Sequence, residues 1–583
     1  MTKDIPQQTQ RIVMRDAAND KWLEFTAPCR IITTCRIDDV LPLIRRMEEA
    51  VTQNKLYAAG FISYESAPAF DSALSVKDDG DFPLLWFGLF EQVKEIILPA
   101  NDEKSIAAVQ WEPSVRPTEY RHCLRQIREL IAEGDTYQVN FTYRLRTNTD
   151  IDPWNIFLQI AGDGEAPFAA FVDTGEWVIC SASPELFLKI DGDAIESRPM
   201  KGTAARGLWF EDDLTNRETL RSSAKEQAEN VMIVDMVRND LGRIALAGSV
   251  DVPCLFAVEQ YPSVWQMTST VCARTHESLD RILQATFPPA SITGAPKRRT
   301  MEIIAELEST PRRIYCGTIG YLTPEGSAQF NVAIRTILLS KAGGQAEYGV
   351  GGGIVWDSQP ANEYRECLTK TKVLKPGTRN FDLLETMLWT PSGGYLLLDY
   401  HMKRLAQSTA YFGFTLDIRK IQDELAKVVD GLSAGPHKLR LLVSRQGAIR
   451  CSAAPLLADA LSYGDLVLAV SPVDAGDVFL YHKTTRRCVY EDAVRMCKGC
   501  KDVLLFNEKG EITESTVANV AVEINGVLYT PPVRCGLLPG TQRAWMLDHA
   551  QLQERVISIE DVRSSPNVYL LNSVRGIQKV NIN

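Results

Sequence analysis

The sequence predicts an α+β protein of two units, and three observations carry that prediction. Of 583 residues, 45% are apolar and 23% charged, which is globular and sufficient for more than one core. Strand-like and long helix-like runs mix without strict β-α alternation, which disfavours a doubly wound sheet. Finally, Lys375-Pro376-Gly377 ends a helical stretch at 363–374 and precedes a new strand-like start at 381–384. The expected units are therefore residues 1–375 and 381–583, with 376–380 as linker.

Charge and cysteines narrow the function. The balance of 63 basic against 74 acidic residues, net −11, argues against a nucleic-acid or anionic-membrane surface. An anionic substrate would need local lysine and arginine clusters. The start, MTKDIPQQTQ, lacks the apolar core of a signal peptide, and no apolar run is long enough to span a bilayer. A soluble, cytoplasmic protein is expected. Thirteen scattered cysteines fit reduced thiols, and Cys497-Lys498-Gly499-Cys500, without a second pair, reads as a loop with free thiols.

In the first unit, strands are expected at 57–64 and 84–90, then a helix at 118–133. Strands return at 168–172, 177–181 and 186–190. In Ser183-Pro184-Glu185 a carboxylate heads the last of these. The next segment, Arg198-Pro199-Met200-Lys201-Gly202-Thr203, is a proline-stiffened turn that sets a primary amine beside a glycine. By itself Lys201 could be a solvated loop lysine. On a helix containing Ala228 to Gly242, Glu229 shares a face with Ile233 and Val237, so the carboxylate needs a cation or several donors. A structural ion pair would also satisfy it. Pro288 to Lys297 leads into a helix at 298–307, where free N–H groups can hold an anion. The glycines at 349 and 351–353 expose backbone amides. On a last helix Glu363, Glu366 and Lys370 share a face, as ordinary surface ion pairs also do.

Together these segments resemble the chorismate-utilising enzymes over nearly all of residues 1–375. Eight strings match in the family's order: SPELFL, RPMKGT, AENVMIVDMVRNDLGR, SITGAPK, GTIGYL, NVAIRTI, GVGGGIVWDS and EYRECLTK. The resemblance implies a two-lobed α+β sandwich with chorismate and Mg²⁺ between the lobes. It makes Glu229 and Glu366 the Mg²⁺ ligands, with Glu363 nearby, a pair that leaves room for waters and a substrate carboxylate. It assigns Gly202, Thr203, Tyr321, Arg335, Gly351, Gly353 and Lys370 to chorismate. Arg335 would offer a planar fork to a carboxylate.

Lys201 separates the subfamilies. Anthranilate synthases carry alanine at that position, whereas aminodeoxychorismate synthases carry lysine as a nucleophile. The resemblance implies attack of the Lys201 amine on C2 as the C4 hydroxyl leaves, with Glu185 as general acid. Ammonia then attacks C4 and expels the lysine. Such an amine must lose its proton near neutral pH. Isochorismate and salicylate synthases, in which a lysine acts as base toward water, are the alternative. Gln266 stands where many relatives have histidine. No segment resembles a glutamine amidotransferase, so ammonia is expected from a separate partner or from solution.

The second unit holds another constellation. Lys483 follows an expected strand in Tyr481-His482-Lys483-Thr484-Thr485-Arg486-Arg487, Glu514 heads another expected strand, and Gly540-Thr541 opens a helix. A lysine, a carboxylate and an anion cradle are the fixings pyridoxal phosphate needs, although each alone also fits a structural role. The set resembles the class IV pyridoxal-phosphate enzymes (fold type IV), which include aminotransferases and aminodeoxychorismate lyases. That resemblance implies Lys483 as the cofactor's lysine and Glu514 as partner of the pyridine nitrogen. Arg404, Thr541 and Ser573 would hold the phosphate. The spacing of Lys483, Thr484 and Arg487 fits the lyases without excluding the aminotransferases. Fusion of the two units implies a two-step path from chorismate to 4-aminobenzoate for folate, and the class IV resemblance implies a homodimer formed through the C-terminal unit. The rivals are an isochorismate-, salicylate- or anthranilate-type synthase fused to an aminotransferase, or a decayed C-terminal unit serving only for dimerisation.

Overall fold

The structure is a computed structural model and describes residues 10–78, 80–99, 109–162, 166–374, 381–457, 463, 466–497, 500 and 502–582. The expected linker, 376–380, lies outside the described residues, as do Lys498 and Gly499 of the C-x-x-C segment. Cα packing divides the chain into two compact units, Met1–Arg206 with Arg217–Gly377, and Gly207–Asn216 with Thr378–Asn583.

The first unit is built on two ten-stranded sheets. One runs from Gly294–Ala295 through Gln138–Asn148, Gln345–Ile354, Thr336–Ser340, Trp177–Ser183 and Phe168–Asp173 to the N-terminal hairpin. The other places Met200–Ala205 beside Val264–Arg274 and continues to Leu85–Phe90 and Arg30–Thr34. Their inner faces share a core in which Phe25, Ile179 and Leu338 of one sheet meet Phe61, Trp86 and Tyr321 of the other. Leu85–Phe90 is buried at every position, so its run of apolar residues carries no alternation. Helices cover both outer faces. Ile37–Asn54 buries Val40, Ile44, Met47 and Val51 against the second sheet. This i, i+4, i+7, i+11 stripe contributes about 1.5–3 kcal/mol for each large side chain removed from water. The expected helix at 118–133 is Pro117–Ala132, started by proline and by Glu119, which accepts from the Arg116 N–H at 2.9 Å. The α+β expectation holds for this unit.

Two helices matter for the site. Ala224–Gly242 is capped by Ser223, whose hydroxyl accepts from the Glu226 N–H at 3.4 Å, and packs Ile233, Val234, Val237 and Leu241 inward. Pro360–Lys370 follows the glycine strand and buries Cys367. The expected helix at 363–374 ends earlier, because Thr371–Leu374 tightens into a 3₁₀ turn.

The second unit has a four-stranded sheet of Gly394–Tyr395, Leu383–Thr390, His437–Val443 and Ile449–Pro455. Helices Leu398–Phe412 and Ile418–Asp430 accompany it. An eight-stranded sheet holds Asp502–Phe506, Ile512–Ser515, Asn519–Ile524 and Val568–Asn572. Leu384 N–H donates to the Lys483 carbonyl at 2.9 Å, so the first sheet fixes the lysine's backbone. Among the described residues, no helix is long and apolar enough to cross a membrane.

Candidate active sites

In the first unit a cavity of about 960 Å³, counting its open mouth, gathers Lys201, Glu185, Gly202, Thr203, Arg335, Gly351, Gly353, Lys370, Glu229 and Glu366. Of the residues expected at chorismate, Tyr321 alone is not brought there. Strand Thr318–Leu322 turns it into the core between the sheets, where its ring meets Phe25 at 6.2 Å. The tyrosines on the cavity wall are Tyr315 and Tyr348.

Lys201 lies on strand Met200–Ala205 with its amine against the glycine strand. A β-carbon at Gly353 would stand 2.6 Å from Lys201 Nζ, so a side chain there would push that amine from its place. Gly202 has φ +94°, a conformation open to glycine that turns the strand next to Lys201. Gln266 holds the same strand: its Nε2 donates to Gly202 O at 2.8 Å, and Thr203 Oγ1 donates to its Oε1 at 3.1 Å. Gln266 thus positions the backbone around Lys201. Asn230 Nδ2 donates to Lys201 O at 3.2 Å.

The electrostatics separate the acid from the amine. Burial pushes the Glu185 carboxyl up to about 7, against the opposing pull of Ser291, Lys201 and the Met200 amide. Burial lowers the Lys201 amine below its ordinary value, helped by Lys370 and opposed by Glu229, Glu185 and Glu366. Near neutral pH the site therefore favours a protonated carboxyl and a neutral amine more than water would.

Besides Glu185, four carboxylates line the cavity: Glu226, Glu229, Glu363 and Glu366. Burial and Glu229 push Glu226 up to about 7, and burial also raises Glu229 and Glu363. Burial would raise Glu366 too, but Lys370, 2.8 Å away, carries it below the usual range. Lys225 stands 3.7 Å from Glu229, and Ser358 donates to Glu363 at 2.7 Å. Among the described residues, no three His, Cys, Asp or Glu side chains come close enough together to hold a metal ion. Glu226 was legible, since Glu226 and Glu229 repeat the three-residue spacing of Glu363 and Glu366. Gln138 carried no such signal. It is fully buried, its side-chain nitrogen and oxygen lack partners, and Nε2 lies 2.9 Å from the same Gly353 β-carbon position.

The second cavity brings together Lys483, Glu514, Arg404, Thr541 and Ser573, all five residues the sequence suggests. Glu514 accepts from Tyr490 Oη at 2.8 Å, Asn519 Nδ2 at 3.0 Å and the Leu538 N–H at 3.2 Å. Burial still raises it to about 7. A buried carboxyl with three neutral donors and no ion pair is suited to a protonated ring nitrogen. Burial, then Arg404, lowers Lys483 to about 8.

Arg404 differs from the expectation of a free phosphate anchor. Its Nε and Nη2 donate to the two oxygens of Glu385 at 2.9 and 2.6 Å, and Nη1 to Pro539 O at 3.3 Å. Burial would raise Glu385, but Arg404 and His401 hold it down at about 2. His401 Nδ1 meets Glu385 at 2.7 Å, and Nε2 lies 3.1 Å from Ser573 Oγ and 3.4 Å from Thr541 Oγ1. A buried chain of charge and hydroxyls thus fixes the groups suited to an anion. His401 could have been read from its three-residue spacing to Arg404, whereas Glu385 sits in a strand with no motif.

Comparisons with known proteins agree with this division. The profile of the chorismate binding enzymes matches residues 10–376, and that of amino-transferase class IV matches residues 382–582. Aminodeoxychorismate synthase component 1 of Escherichia coli (strain K12) is 44% identical over 268 residues, which covers 46% of this chain and 59% of that protein. Aminodeoxychorismate synthase of Streptomyces griseus is 42% identical over 268 residues, covering 44% and 37%. The chain thus spans less than two thirds of the length of these curated relatives. Anthranilate synthase component I of Streptococcus pneumoniae TIGR4 shares the fold, with 24% identity, TM-score 0.53 and coverage of 64% of this chain and 94% of that one. With one profile matching well over half its length, the chain belongs to the chorismate binding enzymes, and a unit of the amino-transferase class IV family follows in the same chain.

Proposed function

We propose that this chain converts chorismate to 4-aminobenzoate in two steps. In the first, chorismate and ammonia give 4-amino-4-deoxychorismate and water. In the second, that intermediate loses pyruvate and becomes aromatic. The observation that carries the reading is Lys201, whose amine lies against Gly353 in the cavity that also holds Glu185.

In the first step Lys201 Nζ bonds to C2, both ring double bonds shift by one position toward C4, and the C4–oxygen bond breaks as Glu185 delivers its proton. The leaving group is water. Ammonia then bonds to C4, both double bonds shift back, and the C2–Nζ bond breaks to free Lys201. Arg335 and the backbone amides of the glycine strand would hold the substrate carboxylates. Glu229 and Glu366, with Glu226 and Glu363 beside them, would hold Mg²⁺. The carboxyls that burial raises fit a cation, because one would offset their repulsion. Mg²⁺ there would meet a substrate carboxylate and neutralise charge. Ammonia would come from a separate glutaminase subunit, as the component name of the Escherichia coli relative suggests.

In the second cavity pyridoxal phosphate, which the class IV family implies, would supply an electron sink. Lys483 would hold it, Glu514 would face its ring nitrogen, and Thr541 and Ser573 would face its phosphate, oriented by His401, Glu385 and Arg404. Lys483 Nζ would also be the group that takes the C4 proton of the substrate. A homodimer formed through this unit also belongs to the reading.

Leaving out ammonium while supplying chorismate and Mg²⁺ tests the first step. Chorismate should persist; steady conversion to isochorismate or salicylate would overturn the amination. The pH profile is a further expectation. Glu185 must be protonated to act, so with its carboxyl at about 7 the synthase rate should fall above that pH. Glu185→Gln should lose that alkaline limb along with most of its rate.

A further inference from the structure

We propose that Arg487 binds a carboxylate of the substrate in the second cavity and thereby selects a dianionic amine. This rests on the lyase reading and goes beyond it. Three cationic side chains line that cavity: Arg404, Lys483 and Arg487. Glu385 takes both oxygens' worth of the Arg404 fork. Lys483 is the reacting amine. Arg487 is left as the cation with no carboxylate within ion-pair distance among the described residues.

Its place is fixed rather than loose. The guanidinium stacks over the Tyr490 ring at 4.6 Å, and Nη2 donates to the Thr516 carbonyl. Tyr490 is itself anchored to Glu514. One neutral acceptor leaves most of the five N–H donors of a guanidinium unused. A half-buried, preoriented cation lining a cavity without a counter-charge is what a bound carboxylate would complete.

Position separates the substrate from the cofactor as the source of that anion. Arg487 lines the same cavity as Lys483, and its charge reaches that amine. The hydroxyls suited to a phosphate, Thr541 and Ser573, gather instead around His401. An amine carrying one carboxylate would gain less from Arg487 than 4-amino-4-deoxychorismate, which carries two. The spacing of Lys483, Thr484 and Arg487 thereby acquires a reason: the arginine stands four residues after the lysine that acts on the substrate.

The test uses the full chain with Arg487→Met and Arg487→Lys. It measures pyridoxal phosphate affinity by absorbance titration, and kcat and KM for supplied 4-amino-4-deoxychorismate. Arg487→Met should raise KM at least tenfold, with cofactor affinity and the chorismate step within twofold of the unaltered chain. Arg487→Lys, which keeps the charge and loses the fork, should fall between them and shows the effect even if the methionine variant folds poorly. A tenfold loss of cofactor affinity, or an unchanged KM in both variants, would overturn the assignment while leaving the lyase reading intact. An unaltered chain that releases no 4-aminobenzoate from the supplied intermediate sinks the lyase reading, and this inference with it.

Discussion

Replacing Lys201 with alanine should abolish 4-aminobenzoate formation from chorismate and leave its formation from supplied 4-amino-4-deoxychorismate within twofold. The first loss should be on the order of 10³-fold or more, the scale of removing a reacting group rather than a contact. The cavity remains otherwise intact, because Gln266 and Asn230 hold this strand through the Gly202 and Lys201 carbonyls, which alanine keeps. Removing the amine also removes the positive charge that its protonated form sets against Glu229, Glu185 and Glu366. Those carboxyls should therefore titrate higher in the variant. Chorismate should still bind, so KM should move much less than kcat. Quantifying both products by chromatography, with each substrate supplied separately, gives the comparison. Loss of both steps in a folded Lys201→Ala chain would contradict separate sites.

Lys483→Ala should do the reverse, turning chorismate over while 4-amino-4-deoxychorismate accumulates. Again a loss on the order of 10³-fold or more is expected in the affected step, since a proton-moving group disappears. Glu514, Arg404 and His401 remain, and their hydrogen bonds do not pass through the Lys483 side chain. Added pyridoxal phosphate should still bind but lose the absorbance of a lysine-bound cofactor. Unchanged 4-aminobenzoate release from this variant would show that Lys483 does not carry the reaction. A chain without cofactor absorbance even before mutation would favour the dimerisation-only reading of the C-terminal unit.

Much of both sites is written in the sequence, because contiguous strings fix what lies near Lys201, Glu229 and Glu366. Strand faces and the glycine approach to an amine are local consequences of such strings. Tyr321 shows where this stops. It and Tyr315 flank the same glycine-threonine turn, and only the sheet register decides which ring faces the cavity and which the inter-sheet core. Glu385 lies further from view. It meets Arg404 and His401 across the fold, a pairing between a strand and a helix that no spacing announces. Gln138 is similar, a strand amide whose importance rests on Gly353 beyond it. Glu226 and His401, by contrast, stand three residues before Glu229 and Arg404, a helical spacing that the sequence itself shows. The helix at 363–374 was placed correctly and ended too late, since a 3₁₀ turn leaves no mark on periodicity.

The central claim is that one chain carries chorismate to 4-aminobenzoate through two lysines, and one measurement tests it most directly. Purified chain is given chorismate, Mg²⁺, ammonium and pyridoxal phosphate, and 4-aminobenzoate is followed over time. The unaltered chain should release it, neither Lys201→Ala nor Lys483→Ala alone should, and mixing the two variants should restore release through the free intermediate. No 4-aminobenzoate from the unaltered chain, or undiminished release by either variant alone, would contradict the account.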